Sequence, residues 1–289
     1  MAPGGLAARG AGARLVEYWH WNTLPFGAET HWGGVLPHSG IPGRAYEEIA
    51  RIGEELRVAG GAFAAAEPDF DIAVLYDSDS KFALSTQGPL RGDALAEPDS
   101  YRHVVAAFAR GVFDAKRQQR LVRPQHLLPS RGGLDGLAAA DAARRFPVLI
   151  TPAFYTAADE DLDFLVSYAR AGGHLVVGPR TGYGDREGRA RAERAPARIA
   201  DAAGAWYDET ASLPSPVPVR GQLEGSATGF AEGLNAAGAE VLARYEHPHL
   251  GRWAAVTTRA VGGPDHRRRH RPRSGARGRT GGVAGTAQC

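Results

Sequence analysis

The feature that most constrains this chain is a change of hydrophobic rhythm near residue 69. From there to about residue 179, short apolar runs alternate with segments of helical period. DIAVLY (Asp71–Tyr76), RLV (Arg120–Val122), FPVLITPAFY (Phe146–Tyr155) and GHLVVGP (Gly173–Pro179) read as strands. A continuous apolar run suits a parallel strand covered on both faces. Between them, Ser100–Gln119 reads as a helix with Val104, Val105, Phe108, Val112 and Phe113 on one side. DEDLDFLVSYARAGG reads as another, with acidic residues at its start and Gly at its end. This alternation predicts an α/β fold with a doubly wound parallel sheet. Asp71–Tyr76, Val148–Pro152 and His174–Val177 are expected as adjacent central strands. Beyond Ala205 the chain is Pro-rich and strand-like, with Glu240–Tyr245 and Trp253–Val261 the clearest strands.

Composition narrows the function classes. The chain has 289 residues, 43% hydrophobic and 23% charged, enough for one large or two ordinary folded domains. No stretch approaches the roughly 18 uncharged apolar residues of a membrane span, and the N-terminus lacks the apolar core of a secretory signal. No membrane partner and a cytoplasmic location are therefore the expectation. The single cysteine, Cys289, excludes intramolecular disulfides, a multi-Cys zinc site and a cysteine nucleophile in the folded body. Residues 262–289 carry seven Arg and one Asp, a tail of +6, so the other 261 residues sum to −4 within a net charge of +2. A mildly acidic body gives no electrostatic case for a nucleic-acid face. Only Lys81 and Lys116 are lysines, and Arg, Ala, Gly and Pro abound, as in translation of a GC-rich gene.

The chemically dense stretch is EYWHWNTLPFGAETHWGGVLPHSG, with Glu17, Glu29, three tryptophans and three histidines. Aromatic planes beside carboxylates suit carbohydrate: apolar sugar faces stack on rings, and carboxylates accept hydroxyl hydrogen bonds. The alternative is a core strand followed by a packed loop, with Trp19 and Trp21 as core aromatics. Arg14–Trp21 reads as a short buried strand. In RAYEEIARIGEELRVAG, Tyr46, Ile49, Ile52 and Leu56 recur at helical spacing, and Gly60-Gly61 is expected to end the helix.

LVEYWHWNTLPFGAETHWGGVLPHSGIPGRAYEEI closely resembles the eighth strand, following loop and last helix of the catalytic barrel in family 42 glycoside hydrolases, the β-galactosidases. AGGHLVVGPRTGY and EVLARYEHPHLGRWAAVTTR resemble that family's trimerisation domain. The resemblance covers roughly residues 13–261. It implies a remnant of a (β/α)8 barrel over residues 1–66, then a doubly wound, amidotransferase-like α/β trimerisation domain over 67–261. It further implies hydrolysis of terminal β-galactosides with retention, by two carboxylates roughly 5–5.5 Å apart. The family's acid/base and nucleophile lie at the ends of the fourth and seventh strands, so neither catalytic glutamate is expected here. Glu17 falls inside the eighth strand and matches neither. Glu29, in the tetrad ETHW, matches the glutamate that holds galactose hydroxyls, and Trp32 matches a sugar-contacting position. Trp21, His31 and Trp19 are weaker candidates for substrate contact. Leu15–Trp21 is expected to carry two open strand edges. The implied partners are a β-galactoside and two further copies in a homotrimer, with no cofactor and no metal. A stand-alone α/β oligomerisation module without catalytic activity is the alternative.

Residues 262–289 depart from the family text. They read either as a basic arm or as out-of-frame translation of GC-rich DNA. The glycines of GGHLVVGPRTGYG fit neither phosphate-loop spacing nor dinucleotide order. His247 and His249 could pair on a metal, but lack a third ligand nearby, and read better as a solvated turn.

Overall fold

A computed structural model describes residues 13, 15–63, 68, 70–90, 97–131 and 138–262. The chain divides into two compact units, Met1–Asp69 and Phe70–Cys289.

In the first unit, α1 (Arg44–Phe63) forms where the spacing predicts it. Ile52 is buried, and the ion pairs Arg44–Glu48 and Arg51–Glu55 lie along its solvent side. The helix runs through Gly60-Gly61 instead of ending there. Neither glycine has a heavy atom within 4 Å of where a Cβ would stand, so no close packing explains them. The strand expected over Arg14–Trp21 is not formed; Leu15–Tyr18 is irregular, and Leu15, Glu17 and Tyr18 are exposed. A strand persists only when its N–H and C=O groups are paired, and no neighbouring strand flanks it among the described residues. The local order comes from the next loop. Asn22 and Leu36 form a parallel bridge, with Leu36 donating to the Trp21 carbonyl at 2.7 Å and Val35 to that of His20 at 2.9 Å. Gly34 permits this closure, since a Cβ there would stand 2.5 Å from the Thr23 nitrogen.

The second unit opens with the predicted alternation: β1 (Ile72–Leu75), α2 (Ser78–Gln87), α3 (Ser100–Asp114), β2 (Gln119–Val122), α4 (Ala139–Arg145), β3 (Val148–Thr151), α5 (Asp159–Arg170) and β4 (His174–Val177). The four strands form one parallel sheet in the order β2-β1-β3-β4. Successive β1 side chains serve opposite faces. Ile72 and Val74 join Ile150, Val104, Phe108 and Val112 of one core, whereas Ala73 and Leu75 join Leu149, Leu162, Leu165 and Tyr168 of the other. Helices α2 and α3 therefore cover one face, and α4 and α5 the other, as in a doubly wound sheet.

Three details differ from expectation. β4 is adjacent to β3 but lies at the sheet edge, with Val176 its one buried residue, so only two of the three named strands are central. Helix α3 stops at Asp114, five residues early. Lys116 takes a left-handed φ of 59° there, turning the chain into β2, and Phe113 is left 63% exposed. After α6 (Ala200–Ala203) and β5 (Ala205–Trp206), in the region expected as strand-like, come two long strands whose bounds the sequence does not mark, β6 (Thr210–Gly221) and β7 (Gly225–Glu232). β8 (Asn235–Ala236) pairs with β5, and β9 (Glu240–Tyr245) and β10 (Ala254–Thr258) complete an antiparallel sheet ordered β10-β9-β6-β7. Val217, Val219, Ala227, Ala243, Tyr245 and Val256 form its separate core.

The turn between α5 and β4 has no spare volume. A Cβ on Gly173 would meet the ring of Tyr168 at 2.2 Å, and that ring is fixed by its hydroxyl donating to the Phe146 carbonyl at 2.7 Å. Gly173→Ala is expected to destabilise the second unit by about 1–3 kcal/mol, the cost of overpacking a filled core. Urea unfolding checks this, and an unchanged midpoint contradicts the fixed ring.

Candidate functional site

Two places qualify by chemistry: the aromatic loop of the first unit and the carboxyl end of the parallel sheet in the second.

The loop presents its sequence candidates outward. Glu29 and His31 lie in the turn formed by residues 28–31, and the Trp32 amide donates to the Glu29 carbonyl at 3.1 Å. That bond places the Glu29 carboxylate and the Trp32 ring on one short turn. Glu29, His31 and Trp32 are all exposed, with Trp32 at 67%. Trp21 is 61% exposed and meets the edge of Tyr46 of α1, with centroids 6.1 Å apart. Trp19 is 80% exposed, so the reading of Trp19 and Trp21 as core aromatics does not hold. Glu29 makes no side-chain hydrogen bond or ion pair among the described residues, which leaves its oxygens free to accept from hydroxyls. His20 differs. It is buried, its ring 5.6 Å from that of Trp19, and neither ring nitrogen has a hydrogen-bond partner among the described residues. Buried polar atoms left in that state cost about 1–3 kcal/mol each. His20 carries no signal of this burial in the sequence, where it stands between two tryptophans.

The second place follows from topology. The strand order reverses direction between β1 and β3, and ligands of open α/β sheets bind outside the carboxyl ends of the strands at such a point. Here that position holds Asp77, Ser80 and Thr156, all buried. Asp77 Oδ2 accepts from the Ser80 amide at 2.9 Å, the Ser80 hydroxyl at 2.5 Å and the Thr156 hydroxyl at 3.0 Å. The Thr156 amide donates to Ser80 Oγ at 3.0 Å, and the Asp77 amide to the Tyr101 hydroxyl at 2.6 Å. Burial pushes the Tyr101 hydroxyl well above its ordinary pKa.

Beside this group, Arg131 donates to Asp161 at 3.1 Å, to the Thr156 carbonyl at 2.7 Å and to Asp79 at 3.0 Å. Asp161 also accepts from the Ser130 hydroxyl and from the Ala158 amide that opens α5. The polar groups that could receive a ligand bond one another. Ser80 is no nucleophile either: it is fully buried and has a carboxylate but no histidine beside it. This cluster was also not singled out from sequence. The signal available was Asp77 directly after a strand, three residues before Ser80, the spacing of a helix N-cap.

Among the described residues, no group of three or more His, Cys, Asp or Glu is placed to hold a metal ion. His247 and His249 are exposed, and His247 Nδ1 accepts from the His249 and Leu250 amides at 3.2 Å, so the pair closes a turn. No helix among the described residues is long and apolar enough to cross a membrane. The basic run after Gly262 lies outside the described residues.

Comparison with known proteins finds matches in both units. Residues 4–59 match the family model described as beta-galactosidase, and residues 134–265 match the one described as beta-galactosidase trimerisation domain. The β-galactosidase Bga of Halorubrum lacusprofundi is 29% identical over 203 residues, covering 70% of this chain and 26% of that protein. BgaA of Clostridium cellulovorans is 26% identical over 202 residues, 70% of this chain and 28% of its own length. Among solved structures, the β-galactosidase from the haloarchaeon Halorubrum lacusprofundi superposes with a TM-score of 0.73 at 28% identity, over 89% of this chain and 36% of that one. The cold-adapted β-galactosidase from Rahnella sp. R3 gives 0.74 at 22% identity, over 89% and 36%. The chain thus spans roughly a quarter to a third of the length of these relatives.

A test of the sheet-end cluster follows from its burial. Arg131→Met leaves the Asp161 carboxylate buried without its cation, and removal of one member of a buried pair costs about 3–5 kcal/mol. Urea unfolding should register that loss. A variant as stable as the parent would show that the cluster does not hold these connections together.

Proposed function

Because the chain belongs to family 42 of the glycoside hydrolases, we propose that it carries the galactose-binding loop and the trimerisation domain of a retaining β-galactosidase. The observation that carries this is the turn of residues 28–32, with Glu29 and Trp32 exposed together in the segment that matches the β-galactosidase family model. Glu29 accepts hydrogen bonds from galactose hydroxyls, and Trp32 offers its ring to an apolar sugar face. Trp21 and His31 flank that contact. Residues 1–66 are then the last part of a (β/α)8 barrel, and 67–261 a trimerisation domain that assembles three copies, with 262–289 as a separate tail. The acid/base and the nucleophile belong to barrel strands outside these 289 residues. A cytoplasmic location is part of the same reading.

The mechanism assigned to the chain's own residues is substrate positioning. A retaining glycosidase needs its sugar held while one carboxylate attacks the anomeric carbon and the other protonates the departing oxygen. The Glu29 contact fixes hydroxyls away from the reacting carbon, and its contribution is binding energy used for orientation. The alternative, an oligomerisation module without catalysis, draws support from the second unit's three apolar cores, none of which includes a described residue of the first unit.

The 289-residue chain alone is expected to show no turnover of a chromogenic β-galactoside. Mixed with a family β-galactosidase truncated before its eighth barrel strand, it is expected to restore turnover. In that mixture Glu29→Gln should lower kcat/KM by roughly 10–100-fold, the loss of hydrogen bonds to a charged group. Turnover by the chain alone that survives Glu17→Gln together with Glu29→Gln would show the catalytic residues to be misplaced. Trimers in sedimentation, with no restored turnover, would favour the oligomerisation module.

A further inference from the structure

The second unit contains a buried carboxyl that neither the galactoside reading nor the sheet-end cluster uses. Glu232 ends β7 with its side chain turned inward, buried. One oxygen, Oε1, accepts from the backbone amide of Arg180 at 2.8 Å. Arg180 follows β4 with a left-handed φ of 60°, a conformation that disfavours residues other than glycine. Its guanidinium stacks 4.1 Å above the Tyr183 ring and 5.4 Å from that of Phe230 on β7. The rest of the loop is pinned to the end of β3. The Thr181 hydroxyl donates to the Thr151 carbonyl at 2.6 Å, the Gly182 amide to that of Phe154 at 2.8 Å, and Tyr183 stacks on Tyr155.

The groups facing Glu232 come from three further segments. Arg180 stands on the loop after β4, backed by the Tyr183 ring. Tyr207, just past β5, has a buried hydroxyl that forms no well-aligned hydrogen bond yet lies beside the Glu232 carboxyl. Tyr245 of β9 donates its hydroxyl to the Glu232 backbone carbonyl at 2.9 Å. Burial drives the hydroxyls of Tyr207 and Tyr245 upward, away from neutrality.

We propose that Glu232, Arg180 and Tyr207 form a proton-operated latch that fastens the loop after β4 to the antiparallel sheet. With the carboxyl neutral, Oε1 still accepts from the Arg180 amide and no charge is buried. Proton loss leaves a buried anion, which the Tyr207 hydroxyl, the Arg180 amide and the Arg180 guanidinium compensate only in part.

The direction of the pH effect follows. Burial pushes the Glu232 carboxyl from 4.5 to about 7, against opposing help from Tyr207 and Arg180. The folded state therefore binds this proton more tightly than the unfolded chain. The latch's contribution is complete below pH 4.5 and is lost as pH rises to about 7. Above that it is constant.

Hydrogen–deuterium exchange of the full chain, read on peptides spanning 178–184 and 225–232 and corrected for intrinsic pH dependence, tests this. Opening of both peptides is expected to rise together between pH 5 and pH 8, on the order of a hundredfold. Glu232→Gln keeps an acceptor and a donor in place and should flatten the rise. Arg180→Met and Tyr207→Phe each remove a group that favours the anion, so each should move the midpoint to higher pH. An identical profile in Glu232→Gln overturns the latch. If that variant does not fold, unshifted midpoints in both Arg180→Met and Tyr207→Phe overturn it equally.

Discussion

The second unit depends on how its buried cation is held. Arg131, its side chain 7% exposed, reaches three elements at once: Asp79 in the first turn of α2, the Thr156 carbonyl after β3, and Asp161 in the first turn of α5. Parallel strands must be joined by crossovers, so each strand's carboxyl end opens into a connection with unpaired polar groups. In β1 and β3 those ends adjoin, and both following helices begin there with exposed N–H groups. Asp77 caps α2, Asp161 accepts from the amide before α5, and Arg131 neutralises the negative charge collected by two helix N-termini. One guanidinium thereby neutralises the buried Asp161 and ties it to the exposed Asp79 in the first turn of α2. An apolar side chain in its place would leave the Asp161 carboxylate uncompensated.

The crevice at a reversal of strand order is the usual ligand position in such folds, and here its hydroxyls and carboxylates satisfy each other. At this position the structure ties together the connections after β1 and β3. Chemistry toward a ligand is concentrated instead in the loop of the first unit, where the Glu29 side chain is unbonded among the described residues and three tryptophans are exposed. Exposed aromatics clustered in one short loop mark a surface that something else covers. A sugar ring, a neighbouring polypeptide, or both in succession suit that composition.

How much of this was legible in the sequence follows from the physics of each element. β1 and β3 were readable because both their faces are buried, which writes an uninterrupted apolar run. α1 and α5 were readable because each buries one stripe. β6 was readable only as Pro-rich, strand-like text without bounds, since Thr210–Gly221 contains three prolines and buries only Val217 and Val219. β7, written GSATGFAE, hides its strand character behind two glycines and small residues. The strand expected over Arg14–Trp21 fails for the opposite reason: its aromatic composition is strand-like, but pairing comes from neighbours, and none stands beside it among the described residues. Among site residues, Glu29 and Trp32 stand exposed on one short turn. The Asp77, Arg131 and Asp161 cluster escaped notice because its members are far apart in sequence and meet only through topology.

The last step concerns Glu232, whose placement is a consequence of those two weakly written strands. A sheet packed from small residues lets another layer approach closely, and the Gly178–Gly184 loop meets β7 through Arg180 and Phe230. A close approach of two layers through polar backbone needs an acceptor for each buried amide. Arg180 cannot give its amide to its own strand, because its left-handed turn has already left β4. Glu232 supplies that acceptor from across the interface. A glutamine would have met the same geometric need without titrating near neutrality. A carboxyl at this position adds something geometry does not require: the fastening between the two layers varies with the proton concentration.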